Sequence, residues 1–227
     1  MKKITDTKFW DIYTLAGNGI MVNLMFLICS IPLVTIGAAW CGLCSSLRFA
    51  IRGDRWAAGF KEGISTRFWR MTIAWVVLLI PIVDRIAAIL TMVANIEDGV
   101  TTLEAVMPML IASGAFLLFL TMLAAALILL NVYIPTSVTQ WLKNGVTLVF
   151  RNPVAAAIMA VLMWLPLATV FIFGLGSVLM IMAYVALYFT VVVFIATMLM
   201  KNSLVRIKME MEELGEMPSA TEEEEDE

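Results

Sequence analysis

The chain has 227 residues, of which 62% are apolar and 15% are charged, and its mean hydropathy is +0.94. These values lie far from the balance of a soluble globular domain and indicate helices that face lipid. The chain has no histidine, which excludes Ser-His-Asp triads, Cys-His dyads and histidine-containing metal sites. We therefore expect an integral membrane protein that is not an enzyme and has no catalytic residues, cofactor or metal site.

The acidic residues are concentrated at the C-terminus. The formal net charge is −3, but ten of the eighteen acidic residues lie between Glu210 and Glu227, a segment without bases. The first 209 residues carry fifteen bases and eight acids, a net charge of +7. We predict a transmembrane helical domain over residues 1–209, whose cations meet anionic lipid headgroups, and an acidic, disordered cytoplasmic tail over residues 210–227.

The first apolar segment, residues 15–51, has no charge before Arg48. As one helix it would be about 55 Å long, whereas one membrane crossing needs about 30 Å. Two interpretations are open: a single span followed by an interfacial helix, or a tight hairpin of two spans. Pro32 and Gly37 favour a break in the helix, and we place a hairpin turn at Pro32, Thr35 and Gly37.

Four further apolar segments follow, and each is about long enough to cross a bilayer. An acidic segment at residues 96–104 separates the first two of them, and an uncharged turn at residues 174–176 separates the last two. The fold class is therefore all-α, a polytopic bundle of about six spans arranged as three helical hairpins. The predicted spans are 15–32, 36–51, 71–95, 105–131, 153–173 and 177–200.

The bases decide between the two interpretations, because Lys and Arg in short loops mark the cytoplasmic side of a membrane. With six spans, fourteen of the fifteen bases fall on one side and none on the other, whereas five spans give a split of eleven to three. Six spans with both termini cytoplasmic are favoured. The longest basic segment supplies a predicted cytoplasmic basic face, formed by Arg48, Arg52, Arg55, Lys61, Arg67 and Arg70.

An internal repeat with an offset of 82 residues relates two short segments. Residues 60–65 (FKEGIS) resemble residues 142–147 (LKNGVT), and each copy precedes a span with a late proline, Pro81 or Pro166. We predict an amphipathic cytoplasmic helix before the third and fifth spans; chance similarity between apolar segments is the alternative. Aromatic residues cluster where the chain enters the membrane and are predicted to lie at headgroup level, among them Phe60, Trp69, Trp141 and Phe150.

Asp84 and Arg85 are adjacent opposite charges inside an apolar run, about 20 Å along a helix that begins at Met71. An ionisable pair within a membrane is a functional candidate, because it is costly unless it is paired or wetted. In one interpretation the pair lines a polar cavity or docks a partner helix, with Asn23 or another asparagine supplying hydrogen bonds. In the other, the third span ends near Val83 and the pair lies at the outer surface.

Residues 40–44 (WCGLC) match the redox motif W-C-G-P-C only superficially. In that motif a helix N-terminus lowers the pKa of the first thiol. Here no strand precedes the segment, Leu43 replaces the proline, and the surroundings are those of a membrane helix. We predict that Cys41 and Cys44 are packed thiols without redox activity.

The N-terminal part of the chain resembles the YesL-like family of bacterial membrane proteins. The resemblance covers about the first 95 residues and rests on residues 22–27 (VNLMFL), residues 31–37 (IPLVTIG), Arg48, and the aromatic residues Phe60, Phe68 and Trp69 of the basic loop. It implies a multispan protein of the bacterial cytoplasmic membrane. Members are often encoded beside carbohydrate uptake systems and glycan-degrading enzymes in Gram-positive bacteria.

From this resemblance we expect a non-enzymatic accessory or regulatory component linked to carbohydrate uptake. Its partners would be membrane lipids and a carbohydrate transporter or sensor protein, and no nucleic acid. The alternative is a small membrane transporter in its own right, with a polar path between its helical hairpins. Neither the resemblance nor the residues assign a substrate.

Overall fold

The computed structural model describes residues 4–52, 54–66, 68–134, 136–173, 184 and 188–213, and no strand occurs among them. The all-α class is confirmed for these residues. Of the predicted acidic tail, only residues 210–213 are described, and they end the last helix. The helices are α1 (Ile4–Cys29), α2 (Ile36–Arg52), α3 (Trp56–Ser65), α4 (Phe68–Glu97), α5 (Leu103–Tyr133), α6 (Val138–Arg151), α7 (Pro153–Phe173) and α8 (Phe189–Glu213), with a short 3₁₀ turn at Leu33–Thr35.

Several of these helices are long and apolar enough to cross a membrane. Four segments qualify by length and composition: the 3₁₀ turn with α2, α4, α5 and α8. A fifth arises if α6 and α7, which are bent by 102° relative to each other, count as one segment. The apolar part of α1, Gly17–Cys29, is shorter, and the start of the predicted sixth span lies outside the described residues. The helices support a multi-pass membrane protein, while six spans remain a prediction.

Local sequence explains where the helices end. Asn152 has non-helical backbone angles, φ −136° and ψ 62°, as expected for a residue before proline, and Pro153 then begins α7. Ser137 caps α6 by accepting a hydrogen bond from the Gln140 backbone N–H. Gly99 ends the turn after α4 with a φ of +69°, a left-handed conformation that favours glycine.

The chain breaks between α1 and α2 around Pro32 and Thr35. The Thr35 hydroxyl oxygen lies 2.6 Å from the Cys29 carbonyl oxygen and 2.8 Å from that of Pro32, so that its single proton is shared between the two carbonyls. Gly37 lies in the first turn of α2, where α4 approaches closely. A Cβ at Gly37 would lie only 2.8 Å from the Trp75 Cβ, so a glycine permits this contact between α2 and α4.

The internal repeat has a structural counterpart. Each of the two short helices, α3 and α6, packs on the long helix that precedes it, α2 or α5. A Cβ at Gly63 would lie 2.5 Å from the Ser45 Cβ, and a Cβ at Gly145 would lie 2.5 Å from the Leu127 Cδ2. Ser45 and Leu127 differ by the same 82 positions as the two glycines. The repeated glycine therefore permits an equivalent helix contact in both copies.

Burial divides the aromatic residues of the predicted interface. Trp69 and Phe150 are 72% and 70% exposed, as headgroup-level anchors would be. Phe60 and Trp141 are each 1% exposed, and the prediction of headgroup anchoring is wrong for these two. The Trp141 indole N–H donates to the Leu127 carbonyl at 2.9 Å. These two buried rings hold the short helices against the bundle.

The core lies around the C-terminal half of α5. Every residue from 124 to 131 is buried, and α5 as a whole packs against α2, α4, α6 and α7. Small residues on the neighbouring helices allow the close approach; they include Ala156, Ala160 and Ala196. No residue of α4 after Ile82 and no residue of α5 before Ser113 is buried. The distal half of the α4–α5 hairpin therefore projects beyond the packed core.

Candidate partner-binding surface and cationic cavities

Asp84 and Arg85 lie on the surface of an unbroken helix. α4 does not end near Val83 but continues to Glu97, and Asp84 lies about 24 Å along the helix from Phe68. The Arg85 Nε donates to the Asp84 Oδ2 at 2.9 Å. The side chain of Asp84 is 62% exposed and that of Arg85 is 38% exposed.

Asp84 belongs to an apolar stripe on the outward side of α4. Ile73, Val77, Ile80 and Asp84 are spaced by four, three and four residues, which places them on one helix face. The three apolar members are 59%, 61% and 67% exposed. The ion pair therefore points away from the packed core, in the middle of a surface made of apolar side chains.

The asparagines considered as partners of this pair bond elsewhere. Asn23 Nδ2 donates to the Tyr184 carbonyl at 2.7 Å, which joins α1 to the segment before α8. Asn131 Nδ2 donates to the Cys41 Sγ at 3.4 Å, which joins α5 to α2. Neither bond involves Asp84 or Arg85. These buried amides connect helices of the bundle.

A small polar cavity of about 40 Å³ borders Arg48, near the C-terminal ends of α2 and α5. The Arg48 Nη1 donates to the Val132 carbonyl at 3.2 Å. The Oδ1 of Asn131 is buried and has no hydrogen-bond partner among the described residues. A space of this size holds about one to three water molecules. Its lining consists of Ser45, Arg48, Glu62, Gly63, Thr66, Asn131 and Val132.

A larger cavity, of about 310 Å³, also borders Arg48. It brings two cations, Arg48 and Lys208, together with apolar side chains. Cationic groups beside apolar walls suit the headgroup and upper acyl chain of an anionic lipid. The sequence pattern did not relate Lys208 to Arg48, because the two residues are 160 positions apart and meet only through packing. The lining is Arg48, Tyr133, Ile134, Leu204, Val205 and Lys208.

The predicted cytoplasmic basic face is not uniform. Arg55 and Lys61 are exposed, whereas Arg48 and Arg70 are half-buried. Arg52 ends α2, but its side chain lies outside the described residues, as does Arg67 altogether. The exposed members are free to meet lipid headgroups, whereas the half-buried members contact other helices.

Arg70 connects the start of α4 to the α5–α6 region. Its Nη1 donates to the Thr136 carbonyl at 2.6 Å, and its guanidinium carbon lies 4.3 Å from the centroid of the Trp141 ring. A cation over an indole face at this distance is attracted by the ring quadrupole. Arg70 therefore has a structural role in addition to its positive charge.

The cysteines are packed thiols. Cys41 and Cys44 are 1% and 2% exposed in α2, and Cys29 is half-buried at the end of α1. All three are free thiols. Cys41 and Cys44 therefore pack inside the bundle.

No family model, curated protein or solved structure matches this chain. The resemblance to the YesL-like family therefore rests on the residues given above.

Proposed function

We propose that the protein is a non-enzymatic accessory or regulatory component of carbohydrate uptake, held in the bacterial cytoplasmic membrane by its helices. The membrane location is supported by the four or five apolar segments of sufficient length. The link to carbohydrates rests on the YesL-like resemblance. The observation that carries the accessory role is the outward position of Asp84 and Arg85 on α4.

An ion pair that faces hydrocarbon is costly, because lipid tails offer it no hydrogen bonds. A pair that lines a transport path faces the interior of the bundle, whereas Asp84 is 62% exposed on the outside. The surrounding stripe of Ile73, Val77 and Ile80 offers an apolar surface for a neighbouring helix. Contact with a second membrane protein, a carbohydrate transporter or sensor, would cover both the stripe and the pair.

The same proposal includes the orientation of the chain. Of the exposed bases, Arg55 directly precedes α3 and Lys61 lies on it, and Arg206 and Lys208 lie near the end of α8. Contacts of Arg48 with α5 and of the Arg48 cavity with α8 bring these regions to one end of the bundle. By the positive-inside rule this end, with both termini, is cytoplasmic.

Co-purification tests the accessory role. The full chain is extracted in a mild detergent, and the proteins that remain bound are identified and quantified by mass spectrometry. We expect a membrane subunit of a carbohydrate uptake system to be retained by the unmodified chain and lost with Asp84→Leu/Arg85→Leu. The matched control is Glu97→Leu/Glu104→Leu, which also removes two exposed charges from the α4–α5 hairpin and should retain the partner. Equal retention by both double variants would refute the role of the pair.

A small transporter is the second candidate, and the polar cavity beside Arg48 favours it. Glu62, Asn131 and Arg48 line that cavity, and such groups could contact a polar solute. Substrate flux into liposomes that contain only this purified protein, abolished by Asn131→Leu, would establish transport. Absence of flux for a panel of mono- and disaccharides, with partner retention as above, would favour the accessory role.

A further inference from the structure

The turn between α1 and α2 has an exposed apolar tip. Ile31, Leu33 and Val34 are 79%, 64% and 48% exposed, and no charged residue lies between α1 and Arg48 in this part of the sequence. We infer that the α1–α2 hairpin is re-entrant: it enters the membrane from the cytoplasmic side, turns among the acyl chains of the cytoplasmic leaflet, and returns to the same side.

Side chains of the protein serve part of the backbone of the turn. Three carbonyls near the break accept hydrogen bonds from side chains: Cys29 and Pro32 from the Thr35 hydroxyl, and Leu33 from the Trp75 indole N–H at 2.9 Å. A turn in water needs no such donors, because water supplies them. In hydrocarbon, a backbone polar group without a partner in the protein is costly. The bonds from Thr35 and Trp75 thus suit a turn that lies in hydrocarbon.

The contacts with α4 give the depth of the turn. Trp75, which holds the Leu33 carbonyl, lies about 10 Å along α4 from Phe68. α4 then continues for about 33 Å beyond Trp75. Gly37 is in close contact with the same tryptophan. The turn therefore lies near the basic, N-terminal end of α4 and far from Glu97 at the other end.

The length of α2 leads to the same conclusion. From Arg48 back to Ile36 the helix rises about 18 Å, and the 3₁₀ turn adds at most about 6 Å. The total of about 24 Å falls short of the hydrocarbon core, which is about 30 Å thick, and any tilt shortens the reach further. The apolar part of α1, Gly17–Cys29, is about 20 Å long. Leu33–Ala50 passes as a span by length and composition, but measured from Arg48 both arms fall short of the full hydrocarbon thickness.

The α4–α5 turn provides a contrast within the same chain. It contains Glu97, Asp98 and Gly99, followed by two threonines and then Glu104. This composition is typical of a loop in water. The α1–α2 turn has the opposite composition, although both turns would face the outside if each arm of the first hairpin were a full span.

The re-entrant hairpin replaces the first two of the six predicted spans. Four of the predicted spans remain, at residues 71–95, 105–131, 153–173 and 177–200. An even number of crossings still returns both termini to one side, so the distribution of bases is unchanged. The inference depends on membrane insertion but not on the identity of the partner protein.

Cysteine labelling with a membrane-impermeant maleimide tests the inference in intact cells and in inside-out vesicles. Val34→Cys probes the tip, Val100→Cys the α4–α5 turn, and Lys61→Cys the basic face; the unsubstituted chain gives the background of the native thiols. We expect Val100→Cys to be labelled only from outside, Lys61→Cys only from the cytoplasmic side, and Val34→Cys from neither side, while all three react after denaturation.

Labelling of Val34→Cys from outside, to the extent of Val100→Cys, would overturn the inference in favour of a hairpin of two full spans. Labelling from the cytoplasmic side, to the extent of Lys61→Cys, would place the turn in water and overturn it as well. If Val34→Cys does not insert, Ile31→Cys serves as the tip probe.

Discussion

Gly63→Ala is expected to destabilise the bundle, because α3 lies in direct backbone contact with α2. An added Cβ would lie 2.5 Å from the Ser45 Cβ, 2.6 Å from the Cys41 carbonyl oxygen and 2.9 Å from the Gly42 Cα. Two of these neighbours are backbone atoms, which cannot move aside as the end of a side chain can. The two helices would have to separate along their contact.

The expected loss follows from two opposing effects. Overpacking of a tight contact costs about 1–3 kcal/mol, whereas alanine in place of glycine within a helix gains about 0.5–1 kcal/mol. The net expectation is a loss centred on about 1 kcal/mol, and at most about 2.5 kcal/mol, in the free energy of unfolding. Gly145→Ala should cost less, because its nearest neighbour is the flexible end of Leu127.

Thermal unfolding in detergent, followed with a thiol-reactive fluorogenic maleimide, measures this effect. The buried thiols of Cys41 and Cys44 become reactive when α2 separates from its neighbours. Gly114→Ala is the matched control, because nothing lies within 4 Å of a Cβ built there. We expect a lower transition temperature for Gly63→Ala and an equal or higher one for Gly114→Ala. A Gly63→Ala protein as stable as the Gly114→Ala protein would refute the proposed close contact.

Three further predictions follow from single contacts. Thr35→Val removes the hydroxyl that bonds the Cys29 and Pro32 carbonyls and should lower the transition temperature in the same assay, whereas Thr35→Ser should largely preserve it. Trp141→Phe removes the indole donor to α5 and should cost about 1–2 kcal/mol in unfolding free energy. A transition that coincides with that of the unmodified chain would contradict this expectation. Arg48→Gln/Lys208→Gln should reduce co-purified anionic phospholipid, measured by mass spectrometry, more than Arg55→Gln/Lys61→Gln does; equal reductions would argue against the cavity.

The sequence predicted the fold class well, because long uncharged segments permit few structures other than membrane helices. It also predicted the positions of the breaks, since proline and glycine act locally: α1 ends before Pro32, and α6 ends before Pro153. The repeat of short helices was visible because FKEGIS and LKNGVT share a glycine and a lysine at the same spacing. In each case the signal lies within a few neighbouring residues.

The direction in which side chains point was harder to predict. In a soluble helix the polar face indicates the solvent side, but helices apolar on all faces carry no such signal. Trp141 and Phe60 were therefore assigned to the interface although they are buried. The outward position of Asp84 and the meeting of Arg48 with Lys208 likewise depend on packing between distant segments, which a single sequence does not reveal.

The sequence alone could not predict how deeply the α1–α2 hairpin enters the membrane. Residues 15–51 contain enough apolar residues for two spans, and the count of bases is the same for a full and a re-entrant hairpin. The contacts of Leu33 and Gly37 with Trp75 relate the turn to a position along α4. Hydropathy indicates how many residues can enter a membrane, but not the depth in the bilayer at which the chain turns.

The most direct test of the membrane arrangement is protease protection of a tag at each terminus, in right-side-out and inside-out vesicles of the same cells. We expect both tags to be cleaved only in inside-out vesicles, while the chain stays in the membrane after alkaline extraction. Tags cleaved on opposite sides, or a chain released by alkali, would contradict a bundle that returns both ends to the cytoplasm.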